Sequence, residues 1–219
     1  MTRTRFASVV LDVDSTVSGI EGIDWLARRR GGETAAGIVQ LTAEAMRGTI
    51  PLEDVYGRRL AIIQPTRGEI DALSAAYIAA TAPDCPATLV SFRRAGVRVA
   101  LVSGGIRQAL QPLARQLGVD AADLHAVDLE FDANGSYTGF DASSPLTTSA
   151  GKATVVSSLG LPRPILAAGD GHTDLAMRPV VDSFVAFTGF ATRAEVVRAA
   201  DSVAKSFRDL ARVVLGPTR

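Results

Sequence analysis

The sequence predicts an α/β protein with a doubly wound parallel sheet, an inserted helical cap domain and a small β-hairpin. Four short segments rich in Val, Ile, Leu and Ala recur along the chain and alternate with stretches of helical character. Uninterrupted apolar runs of this length are typical of parallel strands that are buried on both faces. Their alternation with helices favours a Rossmann-like core. The predicted strands are residues 8–12, 97–102, 165–168 and 184–187.

The segment between the first two predicted strands is too long for one crossover helix. Apolar residues recur there at helical spacing, and glycines and prolines near residues 31–32, 48–51 and 65 interrupt the pattern. We therefore expect a helical cap domain at residues 17–77, inserted into an α/β catalytic core formed by residues 1–16 and 78–219. The apolar positions are Ile23, Leu26, Ile38, Leu41, Met46, Leu60, Ile63, Ile70 and Leu73.

A hairpin is predicted beyond the second strand. Residues 129–131 and 137–140 carry apolar and aromatic side chains and flank Asn134 and Gly135. An Asn-Gly pair tolerates the positive φ angles that tight hairpin turns require. These two segments are therefore expected to pair as short antiparallel strands.

Composition excludes several classes of function. With 219 residues, of which 47% are hydrophobic, the chain is long enough for one well-buried domain and a smaller accessory one. Lys and Arg together number 23, as do Asp and Glu. Because no net field then attracts nucleic acid or an anionic membrane, we expect a small-molecule ligand instead. The expected assembly is a monomer or a homodimer.

Three observations indicate a cytoplasmic protein. The single cysteine, Cys85, excludes an internal disulfide and a multi-cysteine metal site, and its expected role is packing. The basic start followed by an apolar run resembles a secretory signal, but Asp12 and Asp14 interrupt that run too early. No apolar run approaches the roughly 18 residues that a membrane-spanning helix needs.

Asp12 and Asp14 come directly after the apolar residues of the first predicted strand, within the segment Asp-Val-Asp-Ser-Thr. The carboxyl ends of parallel strands form the edge where open α/β sheets bind ligands. Side chains two residues apart on extended chain start on the same face, so the two carboxylates need a cation or must share a proton. The alternative for this segment taken alone is an Asp- and Ser-rich turn.

Two further elements supply partners for an anion. Ser103, Gly104 and Gly105 follow the second strand, where a hydroxyl group and exposed backbone can approach an anion closely. Lys152 precedes a predicted helix at residues 153–159, so its ammonium group and the positive end of the helix would both face an anion.

A third element carries more acids to the same edge of the sheet. The predicted strand at residues 165–168 leads into Asp170 and Asp174, with glycines at positions 169 and 171 that allow close backbone packing. Oxygen ligands from Asp12, from the carbonyl of Asp14 and from Asp170 suit Mg²⁺, which prefers a few carboxylates together with waters and a phosphate oxygen. The sequence therefore predicts a magnesium site.

In this order, the segments Asp-x-Asp-Ser-Thr, Ser-Gly-Gly, Lys and Gly-Asp-Gly-x-Thr-Asp resemble the haloacid-dehalogenase-type phosphohydrolase superfamily. Within it, the chain resembles the phosphoserine phosphatase family over nearly its whole length. This likeness rests on residues 21–24, 58–65, 101–105 and 134–141. The resemblance implies a Mg²⁺-dependent phosphomonoester hydrolase that converts O-phosphoserine to serine and phosphate through an aspartyl-phosphate intermediate.

The resemblance also assigns roles to individual residues. It makes Asp12 the nucleophile and Asp14 the general acid and base, with Ser103 and Lys152 holding the phosphate. The implied metal ligands are Asp12, Asp14, Asp170 and Asp174. The implied substrate-binding residues are Glu21, Met46, Arg59, Gly104, Gly105, Thr173 and Arg193. Among these, Glu21 and Arg59 would bind the ammonium and carboxylate groups of the substrate, because a zwitterionic amino acid requires opposite charges.

Three residues depart from the family pattern. Arg47 stands where glycine is usual, and Phe190 where asparagine is usual. Each either reshapes the amino-acid pocket or reflects neutral change at a packing or surface position. His172 stands beside the predicted metal-binding loop in place of a small residue, and we expect it to be a bystander.

Other functions remain open at this point. A phosphotransferase would pass the phosphoryl group to another hydroxyl group, and a related phosphatase would act on phosphohomoserine, phosphothreonine or phosphoethanolamine. A non-catalytic switch would store phosphate on Asp12, but it would have no need of Asp14 as acid and base. It would also leave Glu21 and Arg59 without a role.

Overall fold

The computed structural model describes residues 4–216, so the first three residues of the basic start lie outside the described range. Eight strands lie within it: β1 Ser8–Leu11, β2 Arg98–Ile106, β3 Leu124–Val127, β4 Leu129–Phe131, β5 Tyr137–Phe140, β6 Ile165–Gly169, β7 Ser183–Phe187 and β8 Ser202–Ala204. Six of them form one sheet in the order β3-β2-β1-β6-β7-β8, and every neighbouring pair is parallel. The predicted doubly wound parallel sheet is confirmed.

Ten α-helices connect or cover these strands in the described part of the chain. They are α1 Gly22–Arg28, α2 Gly32–Arg47, α3 Leu52–Ile63, α4 Arg67–Ala79, α5 Cys85–Arg94, α6 Arg107–Leu117, α7 Gly151–Ser158, α8 His172–Leu175, α9 Ala194–Ala199 and α10 Phe207–Leu215. None of the helices within residues 4–216 is long and apolar enough to cross a membrane.

Strand β1 lies in the middle of the sheet, between β2 and β6. All four of its residues are buried, as expected for a strand that is covered on both faces. It pairs with β2 on one side and with β6 on the other, and Leu11 lies opposite Leu101 and Ala168. The strand order reverses between β1 and β6. In sheets of this kind the crevice at such a reversal, beyond the carboxyl ends of the strands, is where ligands bind.

Two strand predictions need correction. The second strand does not end at Val102 but continues to Ile106, with an irregular register between these two residues, so Ser103 lies inside the strand. Strands β3 and β8 were not predicted. They are only four and three residues long and occupy the two edges of the sheet, so their extended form depends on pairing with a neighbour more than on a local pattern.

Helices α1 to α4, here called the inserted helices, lie between β1 and β2 as predicted. The chain breaks between them fall at the expected glycines and proline, with Gly48 at φ 74° after α2 and Gln64 at φ 44° after α3. The apolar positions that predict these helices are all buried except Leu41 and Met46, which are partly buried. The two connections to the sheet run side by side, since Gly19 N donates to Ala80 O over 2.9 Å.

The predicted hairpin is also confirmed. Strands β4 and β5 are antiparallel, and Gly135 adopts φ 80° in the turn between them. Phe140 packs against Tyr56 of α3, with 5.4 Å between the ring centroids. The hairpin therefore packs against the inserted helices beside the sheet edge that carries the acids.

Candidate active site

The predicted site residues converge on one cavity at the carboxyl edge of the sheet. Its floor comes from the ends of β1, β2 and β6, and its roof comes from the inserted helices α1, α2 and α3. Asp174 and Arg193 do not line the cavity but contact residues that do. The predicted residues that line it are Asp12, Asp14, Glu21, Met46, Arg59, Ser103, Gly104, Gly105, Lys152, Asp170 and Thr173.

Lys152 is the central cation of the floor. Its Nζ atom lies 2.5 Å from Asp12 Oδ1 and 2.5 Å from Asp174 Oδ1. All three side chains are almost completely buried. Burial alone would lower the pKa of Lys152, but the charges of Asp12 and Asp174 raise it above its ordinary value. The ammonium group is therefore held in its charged form beside Asp12.

The acids of the floor, Asp12, Asp170 and Asp174, outnumber the two cations that contact them, Lys152 and Arg193. Burial raises the pKa of Asp12 well above its ordinary value, and the charge of Asp174 adds to this effect, while Lys152 opposes it. Asp12, Asp170 and Asp174 each offer a carboxylate oxygen, and these atoms lie within 4.8 Å of one another. A group of buried carboxylate oxygens this close together fits a hard divalent cation, such as Mg²⁺ or Ca²⁺, which binds oxygen ligands.

Glycines allow the loop after β6 to close tightly around its acids. A Cβ atom added to Gly169 would overlap the carboxyl group of Asp174, so only glycine fits there. Gly171 N donates to Asp174 Oδ2 over 2.8 Å, which fixes the carboxylate that contacts the lysine. Arg193 contacts the carboxylate of Asp170 and donates to its backbone oxygen over 3.2 Å.

Ser103 lies on the wall opposite this loop. It is only 1% exposed, and its Oγ atom accepts a 2.9 Å hydrogen bond from Gly105 N. Tyr56 donates from its hydroxyl group to Gly104 O over 2.9 Å, so α3 is tied to the end of β2. The Ser-Gly-Gly segment is thereby held with a hydroxyl group and backbone at the cavity wall.

Asp14 is held by two donors. Tyr77 donates from its hydroxyl group to Asp14 Oδ1 over 2.6 Å, and Gly22 N donates to Asp14 Oδ2 over 3.2 Å. Burial, together with the charge of Glu21, raises the pKa of Asp14 to about 7 despite these two hydrogen bonds. A carboxyl group with such a pKa can give and accept a proton near neutral pH.

Charged side chains of both signs reach the cavity on the side of the inserted helices. Glu21 Oε1 accepts a 2.8 Å hydrogen bond from the hydroxyl group of Ser15, which adopts φ 54°. The same Oε1 atom of Glu21 also lies 3.8 Å from the guanidinium group of Arg193. Arg59 lines the same cavity and is only 3% exposed.

Arg59 is positioned by a short chain of polar contacts that the sequence did not indicate. Its NH1 atom donates to Thr42 Oγ1 over 2.7 Å, and Thr42 in turn donates to Asp24 Oδ1 over 2.5 Å. Burial lowers the pKa of Arg59 and raises the pKa of Asp24 to about 6. Arg59 is therefore a buried cation aimed at the cavity and not half of a surface ion pair.

The three residues that depart from the family pattern lie outside the cavity wall. Arg47 is exposed at the end of α2, and Phe190 is 43% exposed and packs against Gly19 and Phe187. His172 covers Gly48, so that a Cβ atom added to this glycine would overlap its ring. None of the three lines the cavity, and His172, the first residue of α8, packs against the end of α2.

Several residues of the cavity escaped sequence reasoning. Four of them line the cavity: Asp24, Thr42, Leu52 and Tyr56. A fifth, Tyr77, does not line it but donates a hydrogen bond to Asp14. Although α1 and α3 carry segments of the family likeness, the only signal of these five residues is a side chain on a buried helix face. That signal does not separate a site residue from an ordinary packing residue.

Comparison with known proteins agrees with this geometry. Residues 9–179 match the family model described as haloacid dehalogenase-like hydrolase. The phosphoserine phosphatase of Rattus norvegicus is 36% identical over 192 residues, which cover 86% of this chain and 84% of the relative. The chloroplastic phosphoserine phosphatase of Arabidopsis thaliana is 33% identical over 208 residues, which cover 93% of this chain and 70% of the relative.

The fold has a close counterpart among solved structures. The crystal structure of a phosphoserine phosphohydrolase-like protein from Francisella tularensis has a TM-score of 0.85 and 24% sequence identity, covering 94% of this chain and 98% of that chain. At this identity the likeness supports the fold alone. The family model, which spans most of the chain, and the similarity to the two curated relatives show that this chain belongs to the haloacid dehalogenase-like hydrolase family.

Proposed function

We propose that this protein is a Mg²⁺-dependent phosphatase that hydrolyses O-phosphoserine to serine and phosphate through an aspartyl-phosphate intermediate. One observation carries the proposal: the cavity has Asp12 and Lys152 at its floor, and Glu21 and Arg59 on the side of the inserted helices. The floor suits a phosphoryl group, and the two opposite charges suit an amino-acid head group. The similarity to phosphoserine phosphatases supports the same reading.

The proposed reaction has two steps. In the first, a carboxylate oxygen of Asp12 attacks phosphorus while the bond from phosphorus to the serine oxygen breaks, and Asp14 gives its proton to that oxygen. Lys152 and Ser103 neutralise the phosphoryl oxygens in the transition state. In the second, Asp14 takes a proton from water as the water oxygen attacks phosphorus, which releases phosphate and restores Asp12.

The metal would be held by Asp12, Asp170 and the backbone carbonyl of Asp14. Asp174 would orient Lys152 or the metal-bound waters. Bound Mg²⁺ would supply charge neutralisation for the phosphoryl oxygens. This assignment is supported by the buried cluster of three carboxylates, which exceeds by one the two cations that contact it, Lys152 and Arg193.

Recognition of the amino-acid head group would come from Glu21 and Arg59. Glu21 would accept hydrogen bonds from the ammonium group, and Arg59 would meet the carboxylate with two parallel hydrogen bonds. Met46, Gly104, Gly105, Thr173 and Arg193 would complete the contacts with substrate. Thr42 supports this role of Arg59, since its hydrogen bond to one guanidinium nitrogen fixes the direction of the fork.

The inserted helices would act as the cap that closes over the substrate and excludes bulk water. This proposal assigns the cap to residues 17–77 and the catalytic core to the rest of the chain. Cytoplasmic location and a monomeric or homodimeric assembly stay predictions.

A phosphate-release screen tests the proposed substrate. With Mg²⁺ present, O-phosphoserine is expected to give a higher kcat/KM than O-phosphothreonine, phosphoethanolamine, 3-phosphoglycerate and phosphohomoserine. Preference for a phosphomonoester that lacks an amino-acid head group would contradict the proposed substrate but leave the phosphatase chemistry intact. Phosphoryl transfer to added homoserine in place of water would identify a phosphotransferase.

A further inference from the structure

We propose that Tyr77 is a positioning residue for the general acid: its hydroxyl group holds Oδ1 of Asp14 and so orients Oδ2 toward the leaving alcohol. This inference rests on the proposed phosphatase function. Tyr77 lies near the end of α4, far from Asp14 in sequence, and no motif connects the two residues.

The first argument is the geometry of the two hydrogen bonds to Asp14. Tyr77 Oη lies 2.6 Å from Oδ1, and Gly22 N lies 3.2 Å from Oδ2. One donor on each oxygen defines both the plane and the rotation of the carboxyl group. Because the shorter bond holds Oδ1, Oδ2 is the oxygen left to face the leaving alcohol.

The second argument is the space provided for this hydroxyl group. A Cβ atom added to Gly22 would overlap the hydroxyl oxygen of Tyr77, and one added to Gly105 would lie 3.4 Å from it. Glycine at position 22 thus leaves room for the hydroxyl oxygen and for the end of the ring that carries it, whose Cζ atom would lie 2.9 Å from the added Cβ atom. The 3.4 Å distance at Gly105 is an ordinary van der Waals contact.

The third argument is that Tyr77 is anchored on the sheet side of the molecule. Its side chain is 0% exposed, and its backbone oxygen accepts a 3.0 Å hydrogen bond from Ser18 Oγ in the loop that follows Asp14. Both ends of Tyr77 therefore bind the loop at residues 14–18. The two contacts hold the donor on α4 and the acceptor Asp14 in one fixed arrangement.

The test compares two leaving groups in wild type and in Tyr77→Phe. The constant kcat/KM covers the steps up to departure of the alcohol, so it reports on protonation of the leaving group. Serine needs a proton to leave, whereas p-nitrophenolate does not. We expect Tyr77→Phe to lower kcat/KM for O-phosphoserine roughly 10- to 100-fold, which is less than the roughly 100- to 10,000-fold of a complete general-acid effect because Asp14 itself remains, and for p-nitrophenyl phosphate less than about threefold.

Two control variants separate positioning from packing. Tyr56→Phe also removes the hydroxyl group of a buried tyrosine at the cavity, one that bonds to Gly104 O, and we expect it to change both substrates by the same factor. Gly22→Ala leaves tyrosine in place but displaces its hydroxyl group, so it should reproduce the selective loss of Tyr77→Phe. Thermal unfolding of each variant checks that the fold is kept.

A double variant checks that Tyr77 acts through Asp14. In the Asp14→Asn background, Tyr77→Phe should produce no further loss with O-phosphoserine, because the proton donor is already absent. Equal losses with both substrates in Tyr77→Phe, or additive losses in the double variant, would overturn the inference and leave the phosphatase assignment standing. If wild type hydrolyses p-nitrophenyl phosphate but not O-phosphoserine, the substrate is wrong, and the comparison is made with the best alkyl phosphate from the screen. Failure to release phosphate from any ester would overturn both proposals.

Discussion

The ammonium nitrogen of Lys152 lies 2.5 Å from a carboxylate oxygen of Asp12, and the side chains of both residues are only 6% exposed. Burying an isolated charge in such a place would cost free energy. Here the positive charge of Lys152 is offset by the negative charges of Asp12 and Asp174, which it contacts together. The same arrangement keeps a positive charge next to the atom that would attack phosphorus. Strand β1 and the start of α7 thus meet in one ion pair.

The covalent step gives the first prediction. Brief exposure to labelled substrate should leave acid-stable, hydroxylamine-labile phosphate on the wild-type protein. Asp12→Asn should abolish both this label and turnover, because an amide cannot act as the anionic nucleophile. Asp14→Asn should keep only a small residual turnover of O-phosphoserine, because proton transfer is lost in both steps. Turnover close to wild type in Asp12→Asn would exclude Asp12 as nucleophile.

Metal dependence gives the second prediction. EDTA should abolish activity, Mg²⁺ should restore it, and Ca²⁺ should inhibit because its larger coordination shell misplaces the nucleophile and the phosphoryl group. Mg²⁺ should also raise the melting temperature of wild type, since it binds the folded state. Asp170→Asn should shift the Mg²⁺ titration to higher concentration in both assays.

An exposed acid on α4, Asp71, provides the control for this experiment. Asp71→Asn should titrate with Mg²⁺ as wild type does. Full activity in a metal-free preparation of wild type would contradict the proposed site.

Recognition of the head group gives the third prediction. Arg59→Ala and Glu21→Gln should each lower kcat/KM for O-phosphoserine by roughly 10- to 100-fold, because each leaves a charge of the substrate unpaired in a closed site. Neither variant should change kcat/KM for p-nitrophenyl phosphate to a similar extent, since this ester has neither charged group. Arg58→Ala, which removes the exposed neighbouring arginine, should leave both substrates unchanged. Equal losses with the two esters would instead assign Arg59 and Glu21 to folding or closure of the inserted helices.

The pH dependence of stability gives the fourth prediction. Hydrogen bonds from Arg30, with further contacts at Thr66, lower the pKa of Glu69 from its ordinary 4.5 to about 2. Because the folded state favours the carboxylate, this contribution is fully present above about pH 4.5 and is lost as the pH falls toward 2. Glu69→Gln should therefore lower the free energy of unfolding at pH 7 by about 1 kcal/mol.

Chemical denaturation of wild type and Glu69→Gln from pH 7 to pH 3 measures this difference. The gap between them should stay constant down to about pH 5 and then narrow as Glu69 is protonated in the unfolded chain. The exposed acid Glu33 provides a matched control on α2, and Glu33→Gln should show no comparable gap at pH 7. A gap for Glu69→Gln that is the same at pH 7 and pH 3 would contradict the prediction.

The central strands could be predicted from the sequence because a strand that is buried on both faces consists of a continuous apolar run. Asp12, Asp14 and Asp170 could be placed together for the same reason, since the ends of neighbouring parallel strands meet at one edge. The edge strands β3 and β8 could not, because a strand of three or four residues is defined mainly by its neighbour.

The fold class, the acids at the sheet edge and the lysine and serine that accompany them follow from local sequence patterns, because each of these residues lies beside a segment whose pattern is strong. Which residues hold these groups in place depends instead on contacts between separate elements of the fold. Tyr77 reaches Asp14 because the two connections of the inserted helices lie side by side, and Thr42 reaches Arg59 because α2 packs on α3. Such contacts join residues on separate helices, and helical periodicity records only which face is buried, not what lies opposite it.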